Sequence, residues 1–91
     1  MNPREAADRV EAFIRTQFDV SETDPRFSRD SDLFEQGYVD SVGVAELVGY
    51  LEEDFGIEIP EHDLLSDEFS RIHGIAQIVS RLAERPGDAV G

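Results

Sequence analysis

Gly37-Tyr38-Val39-Asp40-Ser41-Val42-Gly43-Val44-Ala45-Glu46-Leu47-Val48 is the stretch on which the reading of this chain turns. Two small oxygen-bearing residues, Asp40 and Ser41, stand directly before an apolar repeat of helical spacing. A side-chain oxygen at that point accepts one of the orphan N–H groups of a helix start, so the pair marks an N-terminus. The same point favours an anion, because the helix dipole and the free amides present positive charge there. A capping pair is by itself an ordinary structural feature. The surrounding chain decides whether Ser41 carries more.

Val44, Leu47, Val48, Leu51 and Phe55 recur at offsets of three, four, seven and eleven and predict a helix from Ser41 to Phe55, stopped by Gly56. Gly43 and Gly49 fall off this stripe, on the side expected to be exposed, where glycine costs a helix about 0.8–1.0 kcal/mol relative to alanine. Upstream, Ser21, Thr23, Asp24, Pro25, Ser28, Asp30 and Ser31 are turn formers and predict a long connection from Asp19 to Asp40. Phe27, Leu33 and Phe34 are its expected anchors, with a short helical turn around Ser31 to Gln36 stopped by Gly37. The aspartates do not make a calcium loop, since the glycine and closing glutamate are out of register. Before the connection, Asn2, Pro3 and Glu5 open a helix running to Phe18, with Ala6, Val10, Phe13, Ile14 and Phe18 on its buried face.

Beyond Gly56, Ile57-Glu58-Ile59-Pro60 reads as an extended loop and a short helix is expected from Pro60. Ser70 is expected to cap a last helix with the stripe Ile72, Ile75, Ala76, Val79, Leu82 and Ala83, ended by Pro86 and Gly87. The expected fold is all-α: a small four-helix bundle with three main helices, one short helix and a long first loop. Residues 1–91 are expected to form one domain, with a folded core over about 3–85 and a flexible tail over 86–91.

Hydrophobic residues are 40% of the chain and charged residues 32%, a balance that suits a small bundle with a heavily solvated surface. There is no apolar run of membrane-span length and no apolar stretch near the N-terminus, so a cytoplasmic protein is expected. Cysteine is absent, which excludes disulfides, thiolate metal sites and a cysteine nucleophile. His62 and His73 give a metal or a catalytic triad little to build from. The net charge of −13 is unevenly placed. No arginine lies between Asp30 and Ser70, a window rich in acids that contains Ser41, while the flanks are neutral. Such a field repels nucleic acid and anionic membrane and steers basic proteins.

The pattern Leu33-Phe34-x-x-Gly37-x-x-Asp40-Ser41-x-x-x-x-Glu46-Leu47-Val48, then Leu51-Glu52-Glu53-x-Phe55-x-Ile57-x-Ile59-Pro60, resembles the acyl carrier proteins. The resemblance runs from roughly Leu33 to Leu82 and is strongest to discrete carriers of type II systems, D-alanyl carriers and carriers that load unusual extender units among them. It implies that Ser41 receives 4′-phosphopantetheine from coenzyme A through a separate phosphopantetheinyl transferase. The chain would then be a phosphoprotein whose thiol-ended arm shuttles acyl or aminoacyl thioesters, with no catalytic or metal-binding residues of its own. Implied partners are a loading ligase or transferase and downstream synthase enzymes of a specialised fatty-acid- or polyketide-like biosynthesis, each with a basic docking patch; the carrier itself is expected to be a monomer. Asp40 then caps the helix and helps the transferase engage. Val42 is the exposed apolar contact beside Ser41, and Glu46, Glu52 and Glu53 are the acidic docking face. Gly43 departs from the polar residue common at its position. The alternative is an acidic helical adaptor that binds basic proteins without a prosthetic group. A serine hydrolase is disfavoured, because Ser41 has no base at a suggestive spacing.

Overall fold

The computed structural model describes residues 2–84. They form four α-helices, α1 (Pro3–Gln17), α2 (Ser41–Phe55), α3 (Glu61–Leu64) and α4 (Ile72–Ala83), with a 3-10 helix at Asp67–Ser70. No strand occurs among the described residues, and Ile57 to Pro60 is extended. The fold is the expected small all-α bundle with a long first connection. Arg85, the expected stop at Pro86 and Gly87, and the tail at 86–91 lie outside the described residues.

Asn2 starts α1 by accepting the Glu5 amide on its Oδ1 at 2.8 Å, so one orphan donor is satisfied at once. Ala6, Ala7, Val10 and Ile14 are buried along one face. The helix stops at Gln17 rather than Phe18, whose N–H instead closes the end on the Ile14 carbonyl at 3.0 Å. Asp19 then turns left-handed at φ 53°, which a short polar side chain tolerates. From α2, Tyr50 stacks on Phe13 with ring centroids 4.0 Å apart and donates its hydroxyl to the Arg9 carbonyl at 3.2 Å. The Arg9 guanidinium pairs with Asp54 and lies 4.4 Å over the Phe55 ring. The pairs Arg9–Asp54, Phe13–Tyr50 and Gln17–Glu46 run in opposite chain directions, so α1 and α2 are antiparallel.

The most buried helix is α4. Ile72, Ile75, Ala76, Ile78 and Val79 are all buried, each large aliphatic side chain contributing about 1.5–3 kcal/mol by leaving water. Ile78 lies off the predicted stripe and is nonetheless buried, because α4 packs against α1, α2 and the 3-10 helix. Its start also differs from expectation. Ser70 is not the cap: its Oγ donates to the Asp67 carbonyl at 2.7 Å inside the 3-10 turn, and its own carbonyl receives the Leu33 amide at 2.8 Å. Arg71, in extended conformation and without a side-chain cap bond, holds the cap position instead. The 3-10 turn presses so closely on α4 that a Cβ on Gly74 would sit 2.0 Å from the Glu68 carbonyl oxygen.

The short α3 follows Pro60, which occupies its N-cap position rather than its first helical residue. Asp63 is the only buried residue of α3, and its Oδ1 accepts the Arg81 guanidinium at 2.6 Å. A buried carboxylate is tolerated only when so compensated.

The long connection is clipped to the helices by charge. Arg29 donates to Glu11 at 2.7 Å and to Asp8 at 2.6 Å, while its carbonyl receives the His73 amide at 3.0 Å, which joins α1 to α4. Arg15 shares Glu11 at 2.8 Å, and hydrogen bonds from Arg15 and Arg29 hold the Glu11 carboxyl below the usual range. The short helical turn expected around Ser31 to Gln36 is present as a single turn, closed by the Gln36 amide on the Asp32 carbonyl at 3.0 Å and capped by the Asp32 side chain. Asp32 Oδ1 accepts the Glu35 amide at 2.9 Å and the Phe34 amide at 3.0 Å, which lowers its pKa.

Two predictions follow the packing. Gly74→Ala meets backbone and destabilises by about 1–3 kcal/mol or more, whereas Gly49→Ala, with open space around it in an exposed helical site, stabilises by about 0.4–1 kcal/mol; urea denaturation compares them. For Asp32, a lowered folded-state pKa means stabilisation that is complete above the ordinary carboxylate range and disappears as pH falls through the depressed value. The stability difference between wild type and Asp32→Asn is therefore largest near neutral pH and narrows below about pH 4. Comparing the two proteins cancels the relief of repulsion that acid brings to the rest of this acidic surface.

Candidate functional site

The α2 start is delivered by the turn before it. Leu33 is buried, and its carbonyl receives the amides of Tyr38 and Val39 at 2.9 and 3.0 Å. Gly37 at φ 82° provides the left-handed step that makes this reversal possible. Val39 is buried at 2% exposure, and Tyr38 packs edge-on against Phe27 and donates to Asp24 Oδ2 at 2.8 Å. With residues 38 and 39 pinned, Asp40 emerges in an extended conformation at the surface. Its Oδ1 accepts the Gly43 amide at 2.8 Å, and its carbonyl accepts the Val44 amide at 2.9 Å.

Asp40 thus performs the capping, and Ser41 does not. Ser41 is the first helical residue, exposed, and its hydroxyl has no hydrogen-bond partner among the described residues. The first-turn amides of Ser41 and Val42 have no intrahelical acceptor, as for any helix start, and lie at the positive end of the α2 dipole. Val42 is 72% exposed. Neither histidine is arranged to activate the serine: His73 Nδ1 pairs with Asp30 at 2.7 Å, and His62 stands beside Asp63 in α3. Among the described residues no cluster of three or more histidines and carboxylates is placed to hold a metal.

Gly43 is not on the exposed side. It is buried, and a Cβ there would come within 2.7 Å of Phe18 Cε1 and 3.1 Å of Val39 Cγ1. The glycine lets the end of α1 close over the first turn of α2. Gly43 stands one turn before Leu47 and two turns before Leu51, the other buried residues of α2, so it belongs to the buried face although it falls off the stripe centred on Val44 and Phe55. Gly49, by contrast, is exposed as expected.

The three acids of the expected docking face differ in surroundings. Glu46 is exposed and receives the Gln17 side-chain amide at 2.9 Å. Glu53 is exposed, forms no hydrogen bond or ion pair among the described residues, and borders a shallow depression with Tyr50 and Asp54. Glu52 is half-buried, and its Oε2 accepts the Ile59 amide at 3.0 Å. That contact, across seven residues and a left-handed Gly56 at φ 65°, has no signature in helical periodicity. No helix among the described residues is long and apolar enough to cross a membrane.

An exposed serine on a capped helix start within a four-helix bundle is the arrangement that the resemblance to phosphopantetheine-bearing carriers implies. Residues 8–81 match the phosphopantetheine attachment site family, and the chain belongs to it. It is similar to the D-alanyl carrier proteins of Streptococcus pyogenes serotype M5 (strain Manfredo), serotype M49 (strain NZ131) and serotype M1. Each is 38% identical over 53 residues, spanning 58% of this chain and 67% of the relative. The protein is a carrier with covalently attached 4′-phosphopantetheine.

The cap is directly testable. Asp40→Ala removes the acceptor of the Gly43 amide and costs about 0.5–2 kcal/mol, with faster hydrogen exchange at Gly43, whereas Asp40→Asn keeps the acceptor and stays close to wild type.

Proposed function

We propose that Ser41 is the residue to which the arm is joined, and that the chain is a single-domain, monomeric, cytoplasmic carrier that performs no chemistry of its own. The observation that carries this reading is the Ser41 hydroxyl: exposed, without a partner among the described residues, and one residue inside a helix whose cap is already supplied by Asp40. Its oxygen becomes the ester oxygen of a phosphodiester at the positive end of α2, where dipole and amides stabilise the anion. When bound, the arm supplies a thiol for thioester formation, in a chain whose own cysteine-free sequence offers no competing acceptor. Tethering gives each partner enzyme a locally concentrated cargo.

The partners in this reading are a phosphopantetheinyl transferase, a loading ligase and the enzymes that take the cargo onward. Asp40, Val42, Glu46 and Glu53 face them, with the half-buried Glu52 between. A basic patch on each partner complements the acidic α2, which accelerates encounter more than it tightens the complex. The likeness to D-alanyl carriers supports a small aminoacyl cargo, D-alanine being the first to test. An acidic adaptor without a prosthetic group is the reading that the same experiment would favour if the attachment fails.

Incubation with coenzyme A and a promiscuous phosphopantetheinyl transferase, read by intact mass, decides between them. Wild type gains one phosphopantetheinyl group and Ser41→Ala gains none. An unmodified wild type, or a modified Ser41→Ala, overturns the assignment.

A further inference from the structure

The last turn of α2 carries three consecutive acids, Glu52, Glu53 and Asp54, at the end of a helix where the dipole disfavours negative charge. Two of the three are compensated within the chain. Asp54 pairs with Arg9, and Glu52 receives the Ile59 amide at 3.0 Å. Glu53 has no such compensation among the described residues. The exit from α2 is concentrated on Glu52: its carbonyl accepts the amides of Gly56 and Ile57, the latter at 3.1 Å, and its carboxylate accepts that of Ile59. Ile59 is 6% exposed, its amide has no backbone acceptor, and Pro60 directly after it has no amide to offer. Among the described residues the carboxylate of Glu52 is therefore the one hydrogen-bond partner of the Ile59 amide, two residues before α3.

From this geometry we propose that Glu52 is a positioning residue for the carrier, acting through the Ile57–Pro60 segment on α3, and that the docking charge of the α2 face resides on Glu46 and Glu53. The inference rests on the docking reading given above and divides its acidic face into two roles. A glutamine at position 52 keeps the acceptor oxygen and loses the charge, so it separates the roles. A docking acid fails when neutralised, whereas a positioning acceptor survives neutralisation and fails when truncated.

The test uses the full chain with Glu52→Gln, Glu52→Ala and Glu53→Gln. Amide exchange at Ile59 is followed by NMR, and phosphopantetheine transfer from coenzyme A is measured at low and at moderate salt. Glu52→Gln is expected to keep Ile59 protection and to transfer within about twofold of wild type with the same salt dependence. Glu52→Ala accelerates Ile59 exchange about tenfold. Glu53→Gln slows transfer at low salt with Ile59 protection intact. Unchanged Ile59 exchange in Glu52→Ala, or transfer by Glu52→Gln slowed as much as by Glu53→Gln, overturns the proposal. A wild type that accepts no phosphopantetheine defeats the functional reading instead, and the exchange measurement still decides whether Glu52 holds the segment.

Discussion

A helix cannot begin without leaving amides unpaired, and the whole site depends on how α2 meets that constraint. The Asp40 carboxylate takes the Gly43 amide, which frees its neighbour from the task. If Ser41 were the cap, its hydroxyl would be tied to its own backbone and directed inward. With Asp40 in that role, Ser41 begins the helix proper and presents an uncommitted oxygen to solvent. Everything upstream serves this placement: Leu33 and Val39 anchor the two sides of the turn, and Gly37 turns the chain between them. Gly43 then allows Phe18 to lie on the first turn from behind.

Charge is organised by the same economy. The arginines of the flanks reach inward to particular acids: Arg9 to Asp54, Arg29 to Asp8 and Glu11, Arg81 to Asp63. These contacts tie the first connection and the short α3 to the long helices, and they neutralise acids that serve the fold. Acids such as Glu46 and Glu53, with no arginine partner among the described residues, are left to form the outward field of α2. The more exposed of these pairs, such as Arg9–Asp54, contribute little stability individually, about 0–1 kcal/mol each, so their structural weight lies in fixing geometry, whereas Arg81 compensates a buried carboxylate on Asp63.

Local rules made much of this legible before any coordinates. The bounds of α2, its Asp40 cap and its Gly56 stop all depend on residues within one turn of each other, and they appear as read. So does the Asn2 start of α1. What escaped depended on distant chain. Ser70 looks like a cap from its neighbours, but a 3-10 turn claims its hydroxyl and Leu33 claims its carbonyl. Ile78 looks peripheral until α4 is packed on several sides. Gly43 is the exception: it stands one turn before Leu47 and two before Leu51 on the buried face of α2, and Phe18 closes over it. Glu52 reads as a surface acid because nothing in a helical wheel foretells an amide seven residues on. At the candidate site, the identity and helix position of Ser41 were readable, while the freedom of its hydroxyl required the structure.

The account's central claim is that the arm is joined at Ser41, and site localisation on the modified protein tests it most directly. The carrier isolated from its own host is digested, and the peptide that carries phosphopantetheine is fragmented by tandem mass spectrometry. The account predicts that the group resides on Ser41 in the peptide containing Asp40. Its presence on any other serine, among them Ser31, Ser66 and Ser70, would contradict the account.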